Sequence, residues 1–379
     1  MHENCGPSAL PSPDPQALAA SRALLERIGT ELGVAGNWIS FARYMELALY
    51  EPGLGYYASG ARKLGAGGDF VTAPELSPLF GRTLARQVGQ LLEPGDAVLE
   101  FGAGSGALAA VLLDELEDVK YLILEPSAEL ADRQRKRIGN KATWIDHLPQ
   151  HFRGVMLANE VVDAMPVHAL AWTAKGAMER GVCANEGQLA WCDRPAEGLV
   201  LSESKRTSPE IPPAGRYESE LALFARAWMR SLGRFLERGA VLVIDYGFPA
   251  HEYFHPQRSM GTLACHYRHR MHDDPFYLPG LQDVTAHVDF SALARAATES
   301  GLDLLGFANQ AQFLINCGIT DLLAEENPAD PKHYLPAAAA AQKLLSPSEM
   351  GELFKVLAVG KGVKDPLMGF RRGDRSGTL

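Results

Sequence analysis

The sequence predicts an α/β fold built on a parallel sheet with helices on both faces. Three observations carry this. From Ala97 onward, short apolar strands alternate with helix-length segments. A glycine-rich turn, Glu100-Phe-Gly102-Ala-Gly104-Ser-Gly106, joins the first of these strands to the first helix. Polar residues gather where the third strand ends, at Asn159-Glu160-Val-Val-Asp163-Ala-Met-Pro166. In open α/β sheets the carboxyl ends of the strands form the ligand edge.

The elements follow in order. Residues 1–15 hold four prolines and little apolar content, which reads as a disordered tail. Gln16 to Leu32 carries leucines at 18, 24, 25 and 32, a helical spacing. Ser40 is a suitable N-cap for a second helix, Phe41 to Leu49. Residues 51–70 are dense in glycine and tyrosine and too long for a plain connector. Strands are expected at 97–100, 121–124 and 155–158, with helices at 106–116 and 127–137 between them. Residues 166–200 read as antiparallel hairpins, and Tyr217 to Leu236 as one long amphipathic helix stopped by Gly239. Ala240 to Ile244 is a β-branched buried strand. A loop-rich stretch, 246–289, leads to a helix from Phe290, a strand at 302–307, helices to about 350 and a last strand at 356–359.

Composition narrows the function. The 379 residues suggest two domains or one enlarged domain, at about 150 residues each. A net charge of −10 argues against binding nucleic acid or anionic lipid by bulk charge. The cysteines Cys5, Cys183, Cys192, Cys265 and Cys317 form no CxxC pair and are odd in number. Neither a disulfide framework nor structural zinc is expected, and a reducing compartment is the default. No apolar run reaches the roughly 18 residues that span a bilayer. With no secretory signal pattern, a cytoplasmic protein is expected.

The glycine turn points to a nucleotide. Glycines let a ligand approach the backbone, and the helix N-terminus offers free N–H groups. Glu125, at the end of the next strand, can accept both hydroxyls of a ribose. Gly102, Gly104 and Ala107 also fit the loose dinucleotide fingerprint. Glu100 favours S-adenosylmethionine instead: a carboxylate there can reach the ligand's amino-acid end and would repel a pyrophosphate.

Longer motifs resemble one family. They are Gly68-Asp-Phe-Val-Thr-Ala-Pro-Glu75 with Phe80-Gly81, the Glu100 loop, Asn159 to Pro166, Asp245-Tyr-Gly247, Gly261-Thr-Leu, Asp274-Pro-Phe276, and Asp283-Val-Thr-Ala-His-Val-Asp-Phe290. Together they resemble the MidA family, class I methyltransferases related to the mitochondrial complex I assembly arginine methyltransferase. The resemblance implies a seven-stranded class I, Rossmann-like methyltransferase sheet with an N-terminal helical extension and an inserted α+β subdomain. The expected divisions are 16–95 for the helices and cofactor-covering loop, 96–165 for the cofactor-binding core, and 166–235 for the inserted hairpins and helix. Residues 236–365 complete the core, with an acceptor-side insertion at 246–289, and 366–379 form a tail. It further implies a protein arginine acceptor, symmetric dimethylation and a respiratory complex I subunit as partner; a homodimer is compatible with the sequence, which does not identify the oligomeric state. Residues 1–15 contain no Arg and two acids, unlike a mitochondrial transit peptide.

Site expectations follow. Asp69, Phe70, Thr72 and Glu75 would cover S-adenosyl-L-methionine, which leaves as S-adenosyl-L-homocysteine. Glu100, Gly102, Gly104, Gly106, Glu125 and Asn159 would bind it, and Asp146, just after Trp144, would approach the adenine. Glu160 and Asp163 would fix a guanidinium by bidentate bonds, although Asn159 or Asp163 can equally cap the turn before Pro166. His287 and Asp289 would line the acceptor side. His251-Glu-Tyr-Phe-His255 matches a zinc-protease motif literally, but Pro249 and Pro256 leave no room for its long helix. The Cys265 to His272 segment reads as a metal-free loop, and Arg133 to Arg137 as the solvated face of a helix. The alternatives are a different acceptor, a cofactor-binding assembly factor without catalysis, and an NAD-dependent oxidoreductase.

Overall fold

Strand residues that are apolar on both faces belong in the middle of a layered sheet. The computed structural model, which describes residues 10–59, 72–207, 209–212 and 215–379, places them there. The central strands are β1 (Ala97–Phe101), β2 (Lys120–Leu124), β3 (Thr143–Ile145), β4 (Phe152–Asn159), β5 (Leu236–Phe248), β6 (Asp303–Asn309) and β7 (Phe354–Lys361). Their spatial order is β6-β7-β5-β4-β1-β2-β3. Strands β1 to β5 run parallel, and β7 is antiparallel to both its neighbours. A short eighth strand, Val288–Asp289, pairs with the end of β5.

The period-2 alternation divides the core into two layers. Val98, Val155, Leu157, Leu242 and Ile244 point to one face, against Leu84 and Val88 of helix Pro78–Leu91 and Leu112 of helix Ala107–Glu115. Leu99, Met156, Val241 and Val243 point to the other, against Met229 and Leu232 of helix Leu223–Phe235 and Leu293 of helix Phe290–Glu299. Each such side chain contributes about 1.5–3 kcal/mol when fully buried. The strand alternation therefore fixes which face each helix must cover. It also fixes the carboxyl ends of β1, β2, β4 and β5 as a common edge.

The N-terminal helices agree with expectation: Pro15–Val34, and Phe41–Tyr50 capped by Ser40, whose hydroxyl accepts from Arg43 N at 3.1 Å. They pack on a second, antiparallel sheet built from Gly176–Asn185, His168–Thr173, Gln188–Pro195 and Arg216–Leu221.

Several expectations are corrected. Tyr217 to Leu236 is not one helix. Arg216–Leu221 is a strand paired with His168–Thr173, and the helix begins at Leu223. Tyr217, Ser219 and Leu221 alternate inward, so pairing with a strand buries them better than a helical turn would. Gly239 does not stop a helix; it lies inside β5 opposite Gly154 of β4, where a Cβ would strike the Gly154 carbonyl. Two helices lie where the sequence reading assigns none, Pro78–Leu91 and Gly198–Thr207. The first carries a legible start, Ser77 as N-cap before Pro78. Cys183 and Cys192 form a disulfide, contrary to expectation. The turn at Glu186 and Gly187, both with positive φ, folds the hairpin so that their Cα atoms lie 5.9 Å apart. Residues 366–379 are anchored, with Leu367 and Phe370 buried and Asn316 donating to Gly369 O at 2.8 Å. Among the described residues, no helix is long and apolar enough to cross a membrane.

Candidate active site

The glycine turn stands at the carboxyl end of β1. Gly102, Gly104 and Gly106 have φ of 56°, 54° and 78°, a region that costs most other residues about 1–2 kcal/mol. The chain thereby reverses and starts helix Ala107–Glu115 within five residues of Phe101. A cavity of about 320 Å³ opens over this turn. Thr72, Glu75, Glu100, Gly102, Gly104, Glu125, Asn159 and Glu160 all line it.

Four glutamates thus face one space, and no lysine, arginine or histidine is among the described residues lining it. Glu100 is buried and accepts from the Tyr121 hydroxyl at 2.6 Å. Burial pushes its pKa up to about 7 against that hydrogen bond. Glu125 accepts from Ser127 N at 3.0 Å and from Gln134 Nε2 at 2.9 Å, and burial raises it too. The lining suits a nucleoside with a cationic amino-acid tail: carboxylates for hydroxyls and an ammonium, with Leu124, Leu130 and Met165 as apolar wall. It does not suit a pyrophosphate, which needs positive charge or free N–H groups and would meet four acids.

The acceptor candidates sit beside this cavity. Glu160 follows β4 with φ 53°; its Oε1 accepts from Asn159 Nδ2 at 3.1 Å and Ala73 N at 3.4 Å. Burial, then the charge of Asp163, push its pKa up to about 8. Asp163 is buried, accepts the Tyr246 hydroxyl on Oδ2, and has its pKa raised by burial. The buried carboxylate of Asp245 grips this loop from β5: Oδ2 accepts from Val162 N at 2.9 Å and Asp163 N at 3.2 Å. His287 contacts the rings of Tyr246 and Phe248, with centroids 5.1 and 5.2 Å away. Burial, followed by the charges of Arg258 and Lys355, lowers its pKa to about 4, so its imidazole is neutral.

Other expected residues fall elsewhere. Asp146 is not brought to the cavity: its side chain is 91% exposed and pairs with His147 on the surface. Gly106 lies behind the turn against Gln134. Asp163 and His287 adjoin the cavity rather than line it. Asp289 caps helix Phe290–Glu299 by accepting from Ala292 N at 3.0 Å. Asp69 and Phe70 lie outside the described residues. His251 sits on the single turn Ala250–Tyr253, and His255 caps the next turn, so no helix aligns them.

Several residues at the site escape the sequence reading. Arg137 is not merely on a solvated face. It donates to Ser105 Oγ at 2.6 Å and to Glu75 at 3.2 Å, and Ser105 in turn bonds Glu75. Tyr50, Tyr57 and Trp228 also line the cavity; the tyrosine-dense stretch 51–70 was a visible signal for Tyr57.

Gln134 is fully buried and ties three parts together. Its Nε2 donates to Gly104 O and Glu125 Oε2, each at 2.9 Å, and its Oε1 accepts from Trp144 Nε1 at 2.8 Å. Gln134→Leu is expected to weaken S-adenosyl-homocysteine binding about tenfold and to destabilise the fold by about 1–3 kcal/mol, because it orphans the Gly104 carbonyl and the half-buried Trp144 indole N–H together. Calorimetry and denaturant titration read the two effects. Unchanged affinity would mean that Glu125 does not hold the ligand.

Comparison with known proteins agrees with this geometry. Residues 79–308 match the model of a family described as S-adenosyl-L-methionine-dependent methyltransferases. The chain is 29% identical to the protein arginine methyltransferase NDUFAF7, mitochondrial, of Danio rerio, over 89% of this chain and 87% of that one. It is 28% identical to the human protein of the same name, over 85% and 80%. It also superposes on the crystal structure of a superfamily member from Burkholderia thailandensis bound to S-adenosyl-homocysteine. That match has a TM-score of 0.93 at 50% identity, covering 98% of this chain and 100% of that one. The mitochondrial relatives overturn the cytoplasmic location expected from the sequence. Since the family model spans more than half of the chain and the cavity's acidic lining fits the nucleoside sulfonium, the chain belongs to the S-adenosyl-L-methionine-dependent methyltransferases and takes that cofactor.

Proposed function

We propose that the enzyme methylates an arginine side chain of a protein. The observation that carries this reading is a pair of carboxylates, the half-buried Glu160 lining the cofactor cavity and the buried Asp163 next to it. Burial raises both pKa values, and no lysine, arginine or histidine is among the described residues lining the cavity. A guanidinium, which stays protonated, supplies positive charge in a planar fork. The names of the relatives support the same acceptor.

The cofactor supplies a methyl group on a cationic sulfur. Glu100 takes its amino-acid end and Glu125 its ribose hydroxyls, while the turn from Gly102 to Gly106 admits it to the strand edge. Thr72 and Glu75 cover it, with Glu75 anchored to the turn through Ser105 and Arg137. Asp69 and Phe70 belong to the same covering segment by resemblance. Asn159 holds Glu160 between cofactor and acceptor. Glu160 and Asp163 would fix the guanidinium plane, and one of them would take the N–H proton released as the S–CH₃ bond breaks, the N–CH₃ bond forms and the neutral thioether of S-adenosyl-homocysteine departs. Neutral His287 closes the acceptor side without repelling a cation. Orientation and exclusion of water by these groups account for the rate. Symmetric dimethylation and a complex I subunit as substrate are narrower proposals that rest on the family resemblance.

The test supplies isotopically methyl-labelled cofactor to the purified enzyme with an arginine peptide library and reads the products by mass spectrometry. Methylarginine is expected. Label on another residue type, or no labelled peptide despite tight S-adenosyl-homocysteine binding, would overturn the arginine assignment.

A further inference from the structure

At the joined ends of β4 and β5, three buried polar atoms have no hydrogen-bond partner among the described residues: Asn159 Oδ1, Asp163 Oδ1 and His287 Nδ1. A buried polar atom without a partner costs about 1–3 kcal/mol, so such a group calls for an explanation. Their contacts fall in two neighbouring groups. The Asn159 amide donates to Glu160, the Tyr246 hydroxyl donates to Asp163 Oδ2, and the Tyr246 ring meets His287 edge-on at 5.1 Å.

Tyr246 joins Asp163 to His287 and is itself firmly held. Its ring packs against Phe354 at 5.5 Å, and its backbone N–H donates to Asp245 Oδ1 at 2.9 Å. The other oxygen of Asp245 accepts the N–H groups of Val162 and Asp163. The Asp245-Tyr246 dipeptide thus grips the Glu160–Asp163 loop twice, through backbone and through side chain. A carboxylate has two oxygens. Here the tyrosine occupies one and so fixes the plane of the group, leaving the other oxygen buried and without a donor.

We propose that Tyr246 is a positioning residue for the methyl acceptor: by donating to Oδ2 of Asp163 it reserves Oδ1 for an N–H of the substrate guanidinium. This rests on the arginine reading above. Asn159 Oδ1 provides a second acceptor on the same strand end, so the site suits a planar cation with several N–H donors better than a single ammonium.

The test uses the full chain saturated with S-adenosyl-homocysteine and titrated with N-butylguanidinium, beside its neutral isostere N-butylurea. The wild type is expected to prefer the guanidinium clearly. Tyr246→Phe should weaken guanidinium binding about tenfold, with urea and S-adenosyl-homocysteine binding unchanged. Asp163→Asn should weaken guanidinium binding further, and the double variant should be no worse than Asp163→Asn alone, because Tyr246 acts through Asp163. If the wild type does not distinguish guanidinium from urea, the arginine reading fails and this inference fails with it. If the wild type distinguishes them and Tyr246→Phe binds equally well, or if the two substitutions add, the inference alone is overturned. A loss of S-adenosyl-homocysteine binding in Tyr246→Phe would make the residue a general structural support and overturn it too.

Discussion

Gly104→Val is expected to lower S-adenosyl-homocysteine affinity about 5-fold to 150-fold while the protein stays folded. Two costs arise, one on the fold and one on binding. Gly104 has φ 54°, where a β-branched side chain adds about 1–2 kcal/mol of strain to the free and the bound protein alike. It also lines the cavity between Glu100 and Glu125, so the added atoms take ligand volume, at about 1–3 kcal/mol. At about 1.4 kcal/mol per tenfold, this second cost alone gives about 5-fold to 150-fold. The Gly104 carbonyl remains held by Gln134, so the turn cannot swing aside to relieve the contact. Calorimetric titration with S-adenosyl-homocysteine measures the loss, and the Gly104→Ala variant, with strain but less bulk, should fall between. Wild-type affinity in Gly104→Val would remove the cofactor from this turn.

The parts of this site that were legible in the sequence are the local ones. The turn from Gly102 to Gly106, the acids Glu100 and Glu125 at strand ends, and the Asn159 to Met165 loop all declare themselves within one strand–turn–helix unit. Residues that work through distant partners do not. Gln134 reaches back 30 positions to Gly104, and Tyr246 reaches 83 positions to Asp163. Nothing in the spacing of either residue marks the contact, because the sheet order brings them together. The same cause underlies the misread segment at 217–221: its pairing strand, His168–Thr173, lies far earlier in the chain. Cys183 and Cys192 hide for a related reason. Their nine-residue separation matches no short motif, and only the hairpin turn between them makes them neighbours. Asp146 shows the converse. Its place just after Trp144 looked favourable, but it lies beyond β3, an edge strand of three residues, and faces solvent.

Glu160→Gln and Asp163→Asn should each depress methyl transfer about 30-fold or more, since removing one charge of a hydrogen-bonded charge pair costs about 2–5 kcal/mol. S-adenosyl-homocysteine affinity should change less than about threefold if acceptor and cofactor subsites are independent. The pH dependence separates the two substitutions. In the free enzyme Glu160 is pushed up to about 8, and Asp163 is also raised. Below these values the carboxylates are protonated and cannot counter a guanidinium. The kcat/KM of the wild type should therefore climb with pH across the range from about 6 to about 8, as a property of the coupled group. Asp163→Asn removes the like charge that helps raise Glu160, so its residual activity should titrate at lower pH than the wild type. Glu160→Gln removes the higher-titrating group, so its acid limb should also move down and reflect Asp163 with Asp245, whose pKa is raised by burial and by the charges of Asp163 and Glu160. A pH profile unchanged in both variants would place the acceptor elsewhere. A lost turnover with an unchanged limb in Asp163→Asn would instead make Asp163 a turn residue whose loss displaces Glu160, with the guanidinium held by Glu160 alone.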